Sequence, residues 1–540
     1  MACSLTYNHQ TATDYAPMKI LINRVWGFSQ EPKAVPWLLL GAALWLCGLA
    51  WVRDLHLPDE GRYVGVAWDM ARADSFWVPL MNGMPYFHKP PLFYWLDQLS
   101  FMLFGRNEWA ARMPSVLAAW SSATAAYFFV RKYRGVPIAT LTFIALITMP
   151  YFYGAAQYAN LDMLVAGMIS LTVMAGAEAV LRSEAGTSYR SMMIAAATAA
   201  ALGMLAKGLI GVALPGGVLL CWVLLTGRWR RLTVLLWPPA ILVFFAIAVP
   251  WFWLMQQKYP GFFDYYFIHQ QVERFVGESF NNPQPFWFYV PVIFGMTLPW
   301  SLGLIGLMNR TFWKTSGATL GVLMLIWFAL IMVFFSIPAS KLIGYALPAL
   351  VPLAVLVAEG LWAIRQSRGS AFALPLIRGF VVGAMIACVI GLLAFRFTQK
   401  DSASELGAAV AAEWQADDTL VHLRVFPFDL PFYIGNRQPA WVVENWPAIP
   451  KRDNWRNELV DAANFNPAIG KVVLVTELEL IPRLCQASDK IFWIRSHDWG
   501  PAAYPFLRGM EPFFTQGNGG RIWKIKTDTV FKEKVCPKSS

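Results

Sequence analysis

Long apolar segments recur along residues 34–395 and constrain the fold of this chain more than any other feature. Each is about 17 to 25 residues long, which is the length of a helix that crosses a hydrocarbon core of about 30 Å. The chain is 57% hydrophobic and only 14% charged, whereas about 25% of residues are charged in soluble globular domains. Segments of about 10 residues with alternating polarity, which are typical of membrane β-barrels, are not evident. The sequence therefore predicts a polytopic α-helical membrane protein.

Hydropathy predicts about 11 transmembrane helices, at 35–53, 109–130, 136–154, 162–181, 191–206, 209–226, 232–254, 287–306, 316–336, 344–363 and 376–395. Basic residues fall in every second loop, and the positive-inside rule assigns those loops to the cytoplasm. They are Lys33, Arg131–Arg134, Arg182, Arg190, Arg228–Arg231, Arg310, Lys314, Arg365, Arg368 and Arg378. The other loops carry the acids Asp59, Glu60, Asp162, Asp264, Glu273 and Glu278. The net charge of +11 thus indicates orientation rather than a nucleic-acid partner.

This orientation makes residues 1–33 cytoplasmic and places the loop 54–108 on the outer side of the membrane. The stretches 61–74 and 90–104 within this loop have apolar residues at helical spacing, which predicts two interfacial helices. The sequences LPDEGRY and PYFHKPP place ionisable groups of both signs beside the membrane. Because such groups are costly to desolvate, we expect a site for a charged, amphiphilic substrate here.

Charged residues become common from about residue 396, and the sequence predicts a separate soluble α/β domain over 396–540. The runs TLVHLRVF, KVVLVTEL, KIFWIRS and GRIWKIK are typical of strands, whereas SELGAAVAAEW and WRNELVDAANF have helical periodicity. Cys485 and Cys536 lie in this domain and can pair if it faces an oxidising compartment.

Three carboxylates are candidates for catalysis. Asp59 and Glu60 directly follow Pro58, and Asp162 begins a later span on the same predicted side. Carboxylates in a cavity of low dielectric can act as a general base, bind a metal or hold a cationic sugar. The alternatives are an ordinary acidic helix terminus for Asp59 and Glu60 and a helix N-cap for Asp162.

Four cations are predicted on the outer side, against the positive-inside trend: Arg62, Lys89, Lys207 and Lys341. Pro90 and Pro91 fix the backbone after Lys89, and a preorganised cation suits a phosphate. Together these residues favour an anionic ligand over side chains that merely extend to the membrane surface. His88 and His269 lie on the same side and allow a divalent metal, of which Zn²⁺ fits the ligand type best.

The motifs LPDEGRY, PYFHKPPLFYWL and GRNEWAARMPS, followed by YANLDM, LAKG and FFSIPASKLIGYALPALVPLA, resemble the bacterial dolichyl-phosphate-mannose protein mannosyltransferase family. The resemblance is strongest to the branch that transfers 4-amino-4-deoxy-L-arabinose to lipid A, and it covers roughly residues 50 to 360. It implies a glycosyltransferase C fold and an inverting enzyme of the bacterial inner membrane. The implied donor is an undecaprenyl-phosphate sugar, and the implied acceptor is lipid A on the periplasmic side.

The same resemblance implies residue roles. Asp59 and Asp162 correspond to the two acids of the family, with Glu60 beside them. Lys89 corresponds to the lysine that contacts the donor phosphate, with Arg62, Tyr63 and Lys207 expected near it. Lys341 and Tyr345 are expected to bind the acceptor or another part of the substrate, and His269 matches a position that can supply a metal ligand. This chain has His88 where Glu commonly precedes the KPP motif, so the metal, whether Zn²⁺, Mg²⁺ or Mn²⁺, stays an open expectation.

Two other functions remain open from the sequence. A transferase of the same fold could use galactosamine, a hexose or galacturonic acid, with lipid A, a glycan or a protein as acceptor. A lipid-sugar transporter would also explain intramembrane charges, but related halves and interrupted helices are not evident in the sequence. We expect the chain to act as a monomer, in contact with membrane lipids.

Overall fold

The structure is a computed structural model that describes residues 32–273, 282–308, 318–398, 401–450 and 454–537. Every predicted membrane segment contains a helix. The long apolar helices are Val35–Cys47, Glu108–Thr148, Leu161–Glu184, Arg190–Lys207, Ile210–Leu225, Pro238–Lys258, the pair Tyr289–Met296 and Trp300–Met308, Ala318–Ser336, Ile343–Ala349 continuing into Leu350–Arg368, and Ser370–Thr398. Shorter turns of helix lie at Pro32–Ala34, Pro150–Ala156, Trp229–Arg231, Leu232–Leu235 and Asp264–Glu273. The predicted loop cations Arg310 and Lys314 and the acid Glu278 lie outside the described residues.

Several membrane helices are bent or shorter than the hydropathy pattern predicts. Among the described residues, five helices are long and apolar enough to cross a membrane alone, and a sixth is formed by a pair bent by 107° at 297–299. Pro299 has no N–H to continue the helical ladder there. The predicted span 136–154 likewise divides before Pro150, and Gly135, at φ 83°, separates the two spans within Glu108–Thr148.

The outer loop contains two helices in the predicted stretches, Asp59–Arg72 and Leu92–Phe104; their location on the membrane surface stays a prediction. Between them, strands β1 (Leu80–Met81) and β2 (Met84–Pro85) pair in an antiparallel hairpin. Its two turn residues, Asn82 and Gly83, have φ values of 51° and 79°. An added Cβ at residue 83 would lie 2.7 Å from the Pro439 ring, so glycine also permits close packing on the C-terminal domain.

The C-terminal domain is built on a six-stranded sheet with the order β5–β4–β3–β6–β8–β7. Its strands are β3 (Thr419–Leu423), β4 (Trp441–Glu444), β5 (Leu474–Thr476), β6 (Ile491–His497), β7 (Phe514–Thr515) and β8 (Gly520–Lys526). The first four in the sheet order are parallel, and β8 and β7 are antiparallel. The four predicted strand runs each supply a strand, whereas β4 and β7 were not predicted. The chain leaves β3 toward β4 on one side and returns to β6 on the other, so the order reverses beside β3.

Helices cover this sheet, and both predicted ones are present. The helices are Ser404–Ala411, Leu430–Ile434, Trp455–Phe465, Pro467–Val473, Glu477–Gln486, Gly500–Ala503 and Thr529–Val535, with single turns at Trp446–Ala448 and Pro505–Leu507. Tryptophan and isoleucine side chains of β6 and β8, including Trp493 and Trp523, form the buried centre of the domain.

The C-terminal domain packs directly on the outer loop. The Asn82 side chain donates to the Ala440 carbonyl at 2.8 Å and accepts from the Ala440 N–H at 2.7 Å, with both residues buried. The Leu55 N–H donates to the Tyr433 hydroxyl at 2.9 Å. A Cβ at Gly65 would lie 2.7 Å from the Phe428 carbonyl oxygen. The helix that begins at Asp59 is therefore held between the membrane helices and the soluble domain.

Cys485 and Cys536 form a disulfide across 51 residues of sequence. We expect the double substitution Cys485→Ser and Cys536→Ser to destabilise the C-terminal domain by about 2–4 kcal/mol, since the cross-link restricts the unfolded chain. Limited proteolysis of the purified full chain measures this as faster cleavage within 401–537. The matched variant Cys221→Ser, which removes a thiol from a membrane helix, should leave the cleavage rate unchanged. Equal rates for all three proteins would contradict a stabilising role for the disulfide.

Candidate functional site

Asp59 and Asp162 line one cavity of about 580 Å³. Asp59 is the first residue of its helix, and its side chain is 42% exposed. The cavity also contains Lys341, and it is bounded by aromatic and small residues. Its lining is Asp59, Tyr151, Gly154, Ala155, Tyr158, Asn160, Asp162, Met163, Asn282, Gln284, Phe288, Met296, Lys341, Leu342, Ile343, Gly344, Leu347 and Phe395. The volume is that of a pocket for a small organic ligand.

Asp162 is held by contacts on three sides. The N-cap of its helix is Asn160, whose side chain accepts from the Asp162 N–H and donates to Asp162 Oδ2 at 3.2 Å. The Lys207 ammonium forms an ion pair with Asp162 Oδ1. A Cβ at Gly344 would overlap Asp162 Oδ2, so a glycine is needed there. The helix cap is thus provided by another residue, and the Asp162 carboxylate is left to face the cavity.

A second, smaller cavity of about 110 Å³ contains the predicted phosphate-binding cations Lys89 and Lys207. Its lining is Lys89, Lys207, Ile210, Gln270, Gln271, Phe334, Phe335, Pro338, Ser340 and Tyr345. The Lys207 ammonium lies 4.5 Å from the centroid of the Tyr345 ring, which is a cation–π distance. Lys207 is the last residue of its helix, where the helix dipole favours a cation. The Asp162–Lys207 ion pair therefore joins the carboxylate cavity to the cation cavity.

Lys341 is almost fully buried at the edge of the larger cavity. Its ammonium donates to the carbonyl oxygens of Gln284 at 2.9 Å and Pro338 at 2.6 Å. Its own N–H donates to the Asn282 carbonyl at 3.2 Å. Within the described residues, carbonyl dipoles rather than a carboxylate compensate the buried ammonium of Lys341 beside the cavity.

Glu60 lies under the site rather than in the larger cavity. Its side chain is fully buried and pairs with two arginines: Arg53 donates at 3.0 Å, and Arg112 donates to the same oxygen at 3.0 Å. The N–H groups of His56 and Ala159 donate to its oxygens at 2.9 and 2.8 Å. Burial alone would raise the pKa of Glu60, but Arg112 and Arg53 lower it to about 2. Glu60 is therefore an ionised anchor for the residues around it.

This network connects the segments that carry both cavity acids. It ties Arg53, in the turn that follows the first membrane helix, to the segment before Asn160 and to the helix that contains Arg112. Arg112 belongs to the GRNEWAARMPS motif, and its role was not predicted. An arginine near the end of an apolar helix requires a buried acid as partner, and that requirement is the signal in the sequence that could have identified it.

Arg62 and Tyr63 contact the C-terminal domain and the neighbouring helix. Arg62 Nε lies 3.4 Å from Glu458 Oε2, and its Nη1 lies 3.9 Å from Asp59 Oδ1. Tyr63 packs edge-on against Phe93 at 6.2 Å. Neither Arg62 nor Tyr63 is among the described residues that line the two cavities.

Two acids of the helix Trp455–Phe465 reach the outer loop and were not predicted. Glu458 accepts from the Tyr86 hydroxyl at 3.2 Å and pairs with Arg62. Asp461 accepts from the Tyr265 hydroxyl at 3.0 Å and lies 3.9 Å from His88 Nε2. The sequence indicates that this segment is an amphipathic helix, but it does not indicate which surface the helix covers.

The two histidines do not form a metal-binding cluster within the described ranges. His88 is buried and stacks on Tyr86 at 4.6 Å. His269 is half exposed, and its Nδ1 lies 2.7 Å from Glu273 Oε2. Groups of three or more His, Cys, Asp or Glu side chains suited to a metal are not found in the part of the chain that the structure describes. As they are placed in the described ranges, these residues do not fit a metal site.

The Glu60 network predicts different outcomes for two neighbouring substitutions. Glu60→Gln leaves Arg53 and Arg112 buried without a carboxylate, which is expected to cost about 3–5 kcal/mol. Asp59→Asn changes a partly exposed side chain and should cost less than about 0.5 kcal/mol. Thermal unfolding followed by tryptophan fluorescence in detergent measures both. An unfolding temperature for Glu60→Gln equal to that of the unsubstituted chain would refute the anchoring role.

The lowered pKa of Glu60 also predicts a pH dependence. Because the folded pKa of about 2 lies below the ordinary value of 4.5, ionised Glu60 stabilises the fold fully above about pH 4.5. That contribution is lost as the pH falls toward 2. The unfolding temperature of the unsubstituted chain should therefore fall more steeply below pH 4.5 than that of Glu60→Gln. Parallel pH profiles for the two proteins would contradict the lowered pKa.

Comparisons with known proteins agree with the sequence resemblance. The sequence profile of the family described as dolichyl-phosphate-mannose-protein mannosyltransferase matches residues 88–253. The undecaprenyl phosphate-alpha-4-amino-4-deoxy-L-arabinose arabinosyl transferase of Enterobacter sp. (strain 638) is 34% identical over 330 residues, which are 60% of this chain and 58% of that protein. The protein of the same name from Pseudomonas savastanoi pv. phaseolicola is 32% identical over 354 residues, 64% of this chain and 63% of that protein. The matches thus span less than two thirds of these relatives.

The fold is also similar to a solved structure. The crystal structure of ArnT from Cupriavidus metallidurans bound to undecaprenyl phosphate superimposes with a TM-score of 0.77 at 22% identity, covering 92% of this chain and 98% of that one. The expected fold, a polytopic helical membrane protein of the glycosyltransferase C type with a C-terminal α/β domain, is confirmed. The expected resemblance to the mannosyltransferase family and its aminoarabinose branch is confirmed as well.

Proposed function

We propose that this chain, which resembles the dolichyl-phosphate-mannose protein mannosyltransferases and has their membrane-embedded fold, is a glycosyltransferase that moves 4-amino-4-deoxy-L-arabinose from undecaprenyl phosphate to lipid A. The observation that carries the proposal is the pair of connected cavities, one lined by Asp59 and Asp162 and the other by Lys89 and Lys207. A donor with a lipid phosphate and a cationic sugar needs a cationic cavity for the phosphate next to an acidic cavity for the sugar. The relatives, which are named as undecaprenyl phosphate-aminoarabinose transferases, suggest the sugar and the carrier.

The cation cavity suits the phosphate of the donor. Lys89 and Lys207 would contact its oxygens, and Lys207 is already oriented by Asp162 and Tyr345. Negative charge grows on this phosphate when the bond from the sugar C1 to the phosphate oxygen breaks. Fixed cations that stabilise this charge lower the barrier, because they need no rearrangement during the reaction.

The carboxylate cavity suits the sugar and the acceptor. An oxygen of the acceptor attacks C1 from the side opposite the leaving phosphate, so the configuration at C1 inverts and undecaprenyl phosphate is released. A phosphate acceptor on lipid A is already ionised, and Asp59 then orients it or binds the amine of the sugar. A hydroxyl acceptor loses a proton, and Asp59 then receives it as a general base. Lys341 lies at the edge of this cavity and can pair with an anionic acceptor.

The proposed location is the bacterial inner membrane, with both cavities and the C-terminal domain in the periplasm. The helix ends opposite the cavities carry the paired basic residues Lys132, Arg134 and Arg228, as the positive-inside rule expects for the cytoplasmic side. The Cys485–Cys536 disulfide is typical of an oxidising compartment such as the periplasm. We propose that the chain acts as a monomer.

Transfer of another sugar by the same fold is the main alternative, since the cation cavity would bind any polyprenyl phosphate. A transporter is less favoured, because the ionisable cluster lies at the outer boundary beneath a soluble domain rather than at the membrane midplane.

Aminoarabinose adds positive charge to an anionic outer surface. The proposed function therefore predicts resistance to polymyxin and other cationic peptides.

Lipid A mass spectrometry tests the function directly. The chain is produced in a bacterial strain that makes the undecaprenyl-phosphate aminoarabinose donor but lacks its own transferase. We expect lipid A to gain the mass of aminoarabinose with the unsubstituted chain. Asp59→Asn should reduce this gain by about 10²-fold or more at equal expression, the scale on which a positioned acid or base contributes.

Three results would change the proposal. A gain of a different sugar mass would keep the mechanism and replace the donor. No gain in mass, with the donor lipid present and the protein folded, would refute lipid A as acceptor. A gain unaffected by Asp59→Asn would remove Asp59 from the reaction. The control Asp489→Asn changes an exposed acid of the C-terminal domain and should leave the gain unchanged.

Lys207 gives a second test of the donor site. Lys207→Met removes the ammonium that joins the two cavities and leaves Asp162 without its ion pair. We expect transfer to fall by about 10²-fold, mainly through the rate at saturating donor, because the cation acts on charge that develops as the bond breaks. Purified chain with a defined polyprenyl-phosphate donor measures the two kinetic constants. An unchanged saturated rate would contradict this role.

A further inference from the structure

The C-terminal domain contains a cavity of about 570 Å³ that is separate from the two cavities described above. It lies where the parallel strands β3 and β6 end, next to the point at which the strand order of the sheet reverses. Open α/β sheets bind their ligands at this place, because the loops leaving neighbouring strands diverge and leave a crevice. Its lining is Leu57, Asp401, Arg424, Val425, Phe426, Pro427, Trp455, Arg456, Arg495, His497, Trp499 and Asn518.

Three arginines approach this cavity from different elements. Arg424 follows β3 with a φ of 52°, and such a backbone conformation is uncommon for a residue with a side chain. Its guanidinium pairs with Glu477, and that of Arg456 pairs with Glu444 at 2.7 Å. Both arginines are oriented by ion pairs with acids that do not line the cavity.

Arg495 of β6 is the exception, because no carboxylate of the described residues lies within ion-pair distance of it. It is 4% exposed, its Nε is buried without a hydrogen-bond partner, and its Nη1 donates to the Ser496 carbonyl. A Cβ at Gly520 would lie 2.6 Å from Nη2, so glycine provides the space for this guanidinium. Burial lowers its pKa to about 10, partly opposed by Asp429, and Arg495 stays charged at neutral pH. A buried cation without an anion indicates a missing anionic partner.

Aromatic rings flank the arginines. Trp455 stacks near the Phe426 ring at 6.1 Å, the Arg456 guanidinium lies 4.3 Å from the Trp455 ring, and Trp499 lies across the cavity. Flat rings beside cations are suited to the C–H face of a sugar that carries an anion. Asp401 and Asn518 add oxygen acceptors for hydroxyl groups. The loop that follows β3, Arg424–Asp429, contains no glycine, so the backbone cradle typical of dinucleotide sites is absent from this described loop.

We propose that this cavity binds a phosphorylated saccharide, with the phosphate on Arg456 and Arg495 and the sugar ring against Trp455. The site stands independently of the transferase reaction proposed above. Leu57, two residues before Asp59, lines the same cavity, and Glu458, one turn after Trp455, pairs with Arg62. A ligand here therefore contacts the two segments that hold the outer loop in place.

Isothermal titration of the purified full chain with N-acetylglucosamine 1-phosphate tests the proposal. Arg456→Gln and the charge-conserving Arg495→Lys should each weaken binding by about tenfold, because charge-assisted and bidentate contacts are lost. Trp455→Ala should weaken the sugar phosphate by at least about fivefold while inorganic phosphate binds as before. The control Arg508→Gln, which removes an arginine bonded only to carbonyl oxygens of the same domain, should bind the probe normally.

The Asp59→Asn variant should bind the probe with unchanged affinity, which distinguishes this site from the cavity lined by Asp59 and Asp162. Lipid A in mixed micelles identifies the source of the ligand: displacement of the probe assigns a lipid-linked saccharide, and persistence of the probe assigns a soluble sugar phosphate. Absence of probe binding by the folded chain at concentrations up to about 10 mM, well above the Kd of about 1 mM that marks a weak ligand, would overturn the proposal. Equal binding by the unsubstituted chain, Arg456→Gln and Arg495→Lys would overturn it as well.

Discussion

The buried ion network around Glu60 is the interaction on which the arrangement of the outer face depends. One carboxylate accepts from two arginines and two backbone N–H groups that come from three separate segments, at residues 53–56, 112 and 159. The cost of desolvating Glu60 is offset only when all of these donors are present. The network therefore fixes, as a unit, the helix that begins at Asp59 and the turn that leads to Asp162.

The second support comes from the soluble domain. Asn82, Arg62 and Tyr86 of the outer loop are bonded to Ala440 and Glu458 of that domain. These contacts are polar and buried, so they define one docking orientation more strictly than apolar contact would. The C-terminal domain thus contacts the helix that begins at Asp59, and the domain's own cavity lies next to these contacts.

The sequence identified the charged residues of the two cavities but not their surroundings. Asp59, Asp162 and Lys341 meet in one cavity, and Lys89, Lys207 and Tyr345 meet in the other, although they come from distant parts of the chain. Ionisable residues predicted on one side of a membrane are confined to the helix ends and loops of that side, which explains why these residues lie close together. Glu60 and Arg62 are ionisable residues of the same loop, yet Glu60 pairs with Arg112 and Arg62 pairs with Glu458 instead of lining a cavity. Which groups pair depends on tertiary packing, and the loop sequence does not specify that packing. For the same reason, His88 and His269 contact aromatic rings and acids and do not form a metal-binding cluster within the described residues.

The amino-acid sequence by itself determined the membrane helices, the position of the soluble domain and the family resemblance, and it predicts the orientation of the helices. Hydropathy, loop charge and short motifs are local properties, and the bilayer converts them directly into topology. Only the tertiary structure decided that Asn160 caps the helix so that Asp162 faces the cavity, that Lys207 of the cation cavity pairs with Asp162, and that Arg495 is buried with no described carboxylate within ion-pair distance. Each of these depends on distances between segments far apart in sequence, and such distances are set by the packing of the whole chain.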